Sequence, residues 1–197
     1  MGEPSVGHSE HVALPATAAV HTEQELDFTA LYEGHFDFVW RSVRRLGVVD
    51  ALLDDAVQDV FVVVHRRLHD FEGRSTVKSW IFGIARRVAK DYRRRASRKD
   101  RGKVPADGLA DLRELGPAEL AQRAEARQLL YNMLDGLDEQ KREVFVLAEL
   151  EEMTVPEIAE AIGANVNTVY SRLRAARRAF EQQVTRHLAR EKRQAHD

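Results

Sequence analysis

The stretch TVPEIAEAIGANVNTVYSRLRAARRAF, residues 154–180, reads as two short helices broken at a single glycine. Thr154 followed by Glu157 has capping-box spacing, and Pro156 is tolerated in a first turn. Ile158, Ala159 and Ile162 recur at helical spacing, and the small Ala159 permits close approach of a second helix. Gly163 stands where the chain must turn sharply, which favours a residue that adopts positive φ. Asn165 then caps a helix with the inward stripe Val166, Val169, Leu173, Ala176 and Phe180. At about 100° per residue the opposite face carries Asn167, Thr168, Ser171, Arg174, Ala175 and Arg178, flanked by Tyr170, Arg172 and Arg177. Polar side chains early and arginines along the length suit the major groove of DNA, where base edges display distinct donor and acceptor patterns. The pair reads as a helix-turn-helix. The competing reading is an ordinary helical hairpin in an all-α fold.

A second basic segment lies far upstream, and local charge exposes it. Across the chain, 30 Lys and Arg against 32 Asp and Glu leave a net charge of only -2. Residues 1–36 carry -6, residues 37–73 carry -2 and residues 74–103 carry +10. Residues 104–160 then carry -9 and residues 161–197 carry +5. A polyanion responds to the local field rather than to the total, so two basic blocks separated by an acidic one point to nucleic acid. Either block alone also fits a merely solvated helix face.

Composition sets the outer bounds. The 197 residues have room for one or two small domains, and 11 Gly with 5 Pro favour helix over sheet. With no cysteine, a disulfide scaffold and a thiolate zinc site are excluded, which fits a reducing cytosol. No run of about 18 apolar residues exists, and the amino terminus lacks the basic flank and apolar core of a secretion signal. The expectation is a soluble cytoplasmic protein with no direct membrane insertion.

Residues 1–25 lack helical periodicity and read as a mobile tail; His8, His11 and His21 within it have no metal-site geometry. Phe28, Leu31, Tyr32, Phe36, Val39, Trp40, Val43 and Leu46 form one helical stripe. Further helices are predicted from about Asp50 to Leu68 and from about Thr76 to Arg95. Residues 98–117 lose the periodicity, and with neighbouring Ser97 contain three Gly and two Pro, which marks a flexible linker. Helices resume near Pro117 and run to about Arg193. The predicted fold is therefore all-α: an N-terminal helical bundle over 26–97 and a C-terminal helix-turn-helix domain over 118–193, joined by that linker.

The upstream block, FEGRSTVKSWIFGIARRVAKDYRRR (71–95), mixes Trp80, Phe82 and Tyr92 with Arg74, Lys78, Arg86, Arg87, Lys90, Arg93, Arg94 and Arg95. Such cations neutralise phosphates and release counterions, while exposed aromatics stack on bases freed from a duplex. The blander reading places Trp80, Ile81, Ile84 and Val88 in a buried stripe. Just before it, ALLDDAVQDVFVVVHRRL (51–68) turns Leu53, Val57, Val60, Val64 and Leu68 inward. Asp55, Gln58, Asp59 and Val62 share another face with His65, flanked by Phe61. An acidic face with an apolar contact repels DNA and suits a basic protein partner, or is simply solvated.

These pieces stand in order: DAVQDVF (55–61), the basic-aromatic stretch, and LDEQKREVFVLAELEEMTVPEIAEAIGANVNTVYSRLRAARRAF (137–180). Together they resemble the extracytoplasmic-function group of bacterial sigma-70 type sigma factors, over nearly everything from Phe28 to about Arg186. The resemblance implies that Asp55, Gln58, Asp59, Phe61, Val62 and His65 dock on the largest-subunit coiled coil of core RNA polymerase. It implies that Arg74, Lys78, Trp80, Arg86, Arg87, Lys90, Tyr92, Arg93 and Arg94 bind and melt the -10 element. It assigns Asn167, Thr168, Tyr170, Ser171, Arg172, Arg174, Arg177 and Arg178 to the -35 element. Promoter DNA, core polymerase and an anti-sigma factor are the implied partners. The sequence departs from the family at Val77, Arg87, Tyr170 and Ala175; the alanine methyl cannot hydrogen-bond a base.

No phosphate-cradling glycine loop or nucleophile–base set is present, so no catalytic residue, metal, cofactor or small-molecule substrate is expected. Two other classes fit parts of the pattern. A stand-alone helix-turn-helix repressor leaves the acidic Gln58 helix without a task, and a helical adaptor leaves both basic blocks without one.

Overall fold

A computed structural model of the chain describes residues 26–99 and 117–194. The expected tail at 1–25 and most of the 98–117 linker lie outside these residues. The first unit holds α1 (Phe28–Arg45), α2 (Leu53–Arg67) and α3 (Val77–Lys99). The second holds α4 (Pro117–Asp135), α5 (Glu139–Phe145), α6 (Val155–Ile162) and α7 (Val166–Gln194). No strand occurs among the described residues.

Local chemistry sets the helix starts. Asp27 caps α1 by accepting from the backbone N–H groups of Thr29 and Ala30 at 3.2 and 3.1 Å. Asp138 caps α5 by accepting from Lys141 N–H at 2.9 Å. Its side-chain bond to the Lys141 ammonium, followed by that backbone bond, holds its carboxyl below the usual range. At α6, one Glu157 oxygen accepts from both the Thr154 N–H (2.8 Å) and the Thr154 hydroxyl (2.7 Å). Gly163 follows with φ +66°, a left-handed conformation that a Cβ would strain. Asn165 Oδ1 then accepts from Thr168 N–H at 2.8 Å and starts α7.

The apolar stripes meet inside each unit. In the first, Val39, Val43, Val60, Val64, Ile81 and Phe82 are fully buried where α1, α2 and α3 converge. In the second, Phe145 of α5 stacks on Phe180 of α7 with ring centroids 4.5 Å apart. Val169, Leu173 and Ala176 of α7 are buried together with Ile158, Ala159 and Ile162 of α6.

Several side chains fall elsewhere than the stripes predict. Phe82 lies at the centre of the first unit, 6.4 Å from Phe38, so it is core and not a stacking platform. Val166 is exposed, because as the first residue of α7 it projects past the end of the α6 contact. Tyr32 is exposed and Phe28 and Phe36 are half-buried, so the α1 stripe opens to solvent on one side. Helix α3 runs to Lys99, past the expected end at Arg95 and into the start of the expected linker.

The two units also pack on each other, with α3 lying along α6. A Cβ on Gly83 of α3 would stand 3.3 Å from the Ala161 carbonyl oxygen, so the helices approach closely there. At the turn after α1, Gly47 has φ +92°, and a Cβ would collide with the buried Arg142 guanidinium of the second unit.

Candidate polymerase-binding and nucleic-acid interfaces

The α2 face presents Asp55, Gln58, Asp59, Val62 and His65 to solvent, while Phe61 beside them is buried. Phe61 is thus the floor of the face and does not project from it. It belongs to an aromatic cluster from α1, with Tyr32 at 4.6 Å and Phe36 nearly parallel at 6.2 Å. Phe28 meets the His65 ring edge-on at 4.8 Å. Together with Val57, Gln58 and Val62 these rings line an open groove of about 550 Å³. The sequence reading placed Phe28, Tyr32 and Phe36 on one α1 stripe and named no groove there. Their spacing of four residues puts them on one line of the helix and does not tell a groove wall from core. Asp54 and Arg66 also line the groove, whereas Asp55 and Asp59 stand beside it, Asp59 on the α3 side. An apolar groove next to an acidic face fits a helical partner with apolar knobs and basic neighbours.

One carboxylate of the α2 face is tied to α3. Tyr92 donates its hydroxyl to Asp59 Oδ2 at 2.8 Å. Burial, and after it this bond, pushes the Tyr92 phenol up to about 12. Tyr92 and Asp59, assigned by resemblance to different partners, are joined here.

Along α3 and the loop before it, the cations fall into two sets. Arg74, Arg87, Lys90 and Arg94 are exposed, and Arg74 pairs only with neighbouring Glu72 at 3.0 Å. Trp80 is half-buried against Phe71, ring centroids 5.1 Å apart. Lys78, Arg86 and Arg93 are held by the second unit or by the turn after α1, whereas the exposed Arg95 stands over the Tyr92 ring at 5.4 Å. Lys78 donates to the Glu151 carbonyl oxygen at 2.8 Å, and Arg86 donates to Glu143 Oε1 at 2.6 Å. Arg93 reaches Glu139 at 2.9 Å and the Leu46 carbonyl at 2.8 Å, with Lys90 3.5 Å from the same Glu139 oxygen.

On α7 the outward face is open. Asn167, Tyr170, Ser171, Arg174, Ala175 and Arg178 are exposed, with Tyr170 at 58 %. Thr168 and Arg172 are half-buried on its flanks. The Ser171 hydroxyl donates to the Thr168 carbonyl at 2.9 Å, so it must turn away from the helix to meet a base. Arg177 is held at 2.8 Å by Glu149, which fixes it on the shoulder of that face. Among the described residues no group of His, Cys, Asp and Glu is arranged to hold a metal ion, and no helix is long and apolar enough to cross a membrane.

Comparison with known proteins bears on these surfaces. Residues 31–99 match the family model of sigma-70 region 2, and residues 127–180 match that of sigma-70, region 4. The ECF RNA polymerase sigma-E factor of Escherichia coli is 32 % identical over 138 residues, 66 % of this chain and 72 % of that protein. The ferric citrate uptake sigma factor FecI of Escherichia coli is 34 % identical over 156 residues, 75 % of this chain and 85 % of that protein. Among solved structures, CnrH in complex with the cytosolic domain of CnrY is 27 % identical, with a TM-score of 0.59. That likeness covers 80 % of this chain and 87 % of that one. The sigma factor RpoE of Bartonella quintana, solved with the anti-sigma factor NepR, shares the fold at a TM-score of 0.65 and 20 % identity, over 81 % and 97 % of the two chains.

A bundle with an acidic face, an apolar groove and a basic helix, followed by a helix-turn-helix, is the two-unit architecture of a transcription initiation factor. The chain belongs to the sigma-70 family, in its extracytoplasmic-function group.

Proposed function

We propose that the three surfaces divide the work of promoter recognition. The α2 face and its aromatic groove take up a coiled coil of core RNA polymerase, with Asp55 and Asp59 attracting the basic side of that partner and Val62 and His65 entering its apolar seam. The exposed part of α3 and the loop before it, with Arg74, Arg87, Lys90, Arg94 and the accessible side of Trp80, tracks the -10 element once its strands separate. Lys78, Arg86, Tyr92 and Arg93 join it when released from their present partners. Unpairing a base costs a few kcal/mol, which stacking and phosphate contacts offset.

Helix α7 reads the -35 element through Asn167, Thr168, Tyr170, Ser171 and Arg174, while Arg172, Arg177 and Arg178 anchor to phosphates. Polymerase supplies the chemistry, so the chain needs none of its own. The boundaries that serve this division are 26–97 and 118–193. A cytoplasmic location follows from the partners, and the anti-sigma factors bound to related chains suggest that one restrains this chain also.

The observation that carries this reading is the unobstructed α7 face in the same chain as an acidic α2 face beside an apolar groove. A stand-alone repressor has no use for the groove. The test is transcription from a promoter library with purified core polymerase and the double variant Asp55→Lys, Asp59→Lys. Loss of core binding and of start-site-specific RNA, with the helical circular dichroism unchanged, is expected. Normal initiation by that variant overturns the assignment.

A further inference from the structure

The groove between α1 and α2 carries charge that a basic partner does not match. Phe28 meets His65 and Phe36 meets Phe61, so the two helices run antiparallel along it. Arg66 stands at the Phe28 end and Asp54 toward the Phe36 end, about 18 Å apart along α2. Both are exposed, and neither has an ion pair among the described residues. Between them the walls are aromatic rings and Val62, and Tyr32 and Val62 are left in water. A partner with basic neighbours satisfies Asp55 and Asp59 but meets Arg66 with like charge. The occupant that suits the groove itself is an apolar segment followed by acids.

The chain carries such a segment just before α1. Residues 12–20, VALPATAAV, are uncharged and mostly apolar, and no Asp, Glu, Lys or Arg lies between Glu10 and Glu23. Glu23 and Glu25 follow, and exposed Leu26 leads through the cap Asp27 into Phe28, at the groove's own end. Residues 21–26 extend to at most about 21 Å. Phe28 and Phe36 are only about 12 Å apart along α1, so the apolar segment can fold back over the rings. In that direction Glu23 and Glu25 fall at the Arg66 end.

We propose that residues 12–20 occupy the α1–α2 groove of their own chain, with Glu23 and Glu25 against Arg66. Core polymerase must then displace them to seat its coiled coil. The displacement rests on the reading of the groove as part of the polymerase site, whereas the docking does not. A short tether gives an effective concentration of about 1 mM, so a segment with an intrinsic Kd of ~0.1 mM is docked about ten times as often as it is free.

The absence of native cysteine allows a specific test. In the full chain, with neither polymerase nor DNA, a nitroxide on Thr17→Cys should broaden the amide signals of Tyr32, Phe36 and Val62 and spare those of α7. Val12→Ser with Leu14→Ser should abolish that broadening, and Glu23→Gln with Glu25→Gln should remove part of it. Equally weak broadening across both units overturns the proposal. A mixture of isotope-labelled chain without nitroxide and unlabelled chain with it separates the possible occupants. Broadening there as strong as within one chain means that a second copy's segment is seated, which also overturns the proposal.

Core polymerase supplies the second readout. The Val12→Ser, Leu14→Ser chain should bind purified core about tenfold more tightly than the unsubstituted chain, because its groove is free. Unchanged affinity, in a chain whose groove amides are broadened, overturns the displacement. If Asp55→Lys, Asp59→Lys still binds core normally while the broadening persists, the polymerase reading of the α2 face fails and the docking of residues 12–20 stands.

Discussion

In α3, Arg86 is bonded to Glu143 and Arg93 to Glu139, whereas in α7 Arg174 and Arg178 point outward with no ion pair among the described residues. Both helices are amphipathic, both are rich in arginine, and both follow a well-defined turn. What separates them is their neighbours. Helix α7 is supported from behind by α5 and α6, so its polar face is left to solvent. Helix α3 is supported by α1 and α2 on one side and meets α6 on another. Local positive charge is thus a statement about where an anion is wanted, and tertiary structure decides whether the anion is already supplied.

The sharpest way to break that contrast is to delete one arginine from each helix. Arg86→Ala leaves both Glu143 oxygens buried and unpaired, and a lost hydrogen bond to a charged group is worth about 2 kcal/mol. The loss should appear as about thirtyfold faster exchange of the α6 amides of Ile158 and Ala159, because opening the interface resolvates the carboxylate. Arg178→Ala, on the exposed face, should change the same rates by less than about twofold. Equal acceleration by both variants would show that the α3 arginine is no more engaged than its counterpart.

How far the sequence carried these distinctions depends on the range of the interaction involved. The helix-turn-helix was legible because its signals are local: Thr154 with Glu157, Gly163 and Asn165 each act within a few residues of themselves. The stripes of α2 were legible for the same reason, since one period of 3.6 residues decides which side is apolar. The burial of Phe82 and the exposure of Tyr32 were not legible, because a stripe fixes a face without fixing how much of it a neighbour covers. The engagement of Arg86 by Glu143 was beyond reach, as nothing in either residue's surroundings reports a partner so far along the chain. Resemblance to a family did not help there either, because it assigned residues to external partners and was silent on contacts between the units.

A second measurement sharpens the contrast from the nucleic-acid side. Binding of the free chain to duplex DNA weakens with salt in proportion to the phosphates neutralised. Arg178→Ala should reduce the slope of log K against log salt by about 1. Arg86→Ala should leave the slope unchanged, because that guanidinium already has a carboxylate and contributes no released counterion. The expected ordering reverses once core polymerase is added and a melted promoter replaces the duplex. Arg86 should then contribute to the slope.

The smallest expected effect lies at α6, the helix that touches both surfaces. Glu157 bonds Thr154 through its side chain, and its carbonyl accepts from Ser79 of α3 at 3.3 Å. The bond from the Thr154 hydroxyl, followed by the one from the Thr154 N–H, holds the Glu157 carboxyl below its ordinary 4.5. A depressed carboxylate contributes stability that is fully present above that value and is lost as pH falls through the folded one. Thermal unfolding between pH 6 and pH 3 should therefore show a component, about 0.5 kcal/mol for so open a site, that disappears on acidification and is missing at every pH in Glu157→Gln. Because the cap begins the helix that lies on α3, its loss should also loosen the Ser79 contact while leaving the α7 reading face in place. If duplex affinity falls as much as interface protection in Glu157→Gln, the two surfaces are not separable at α6, and the contrast between α3 and α7 fails at their shared support.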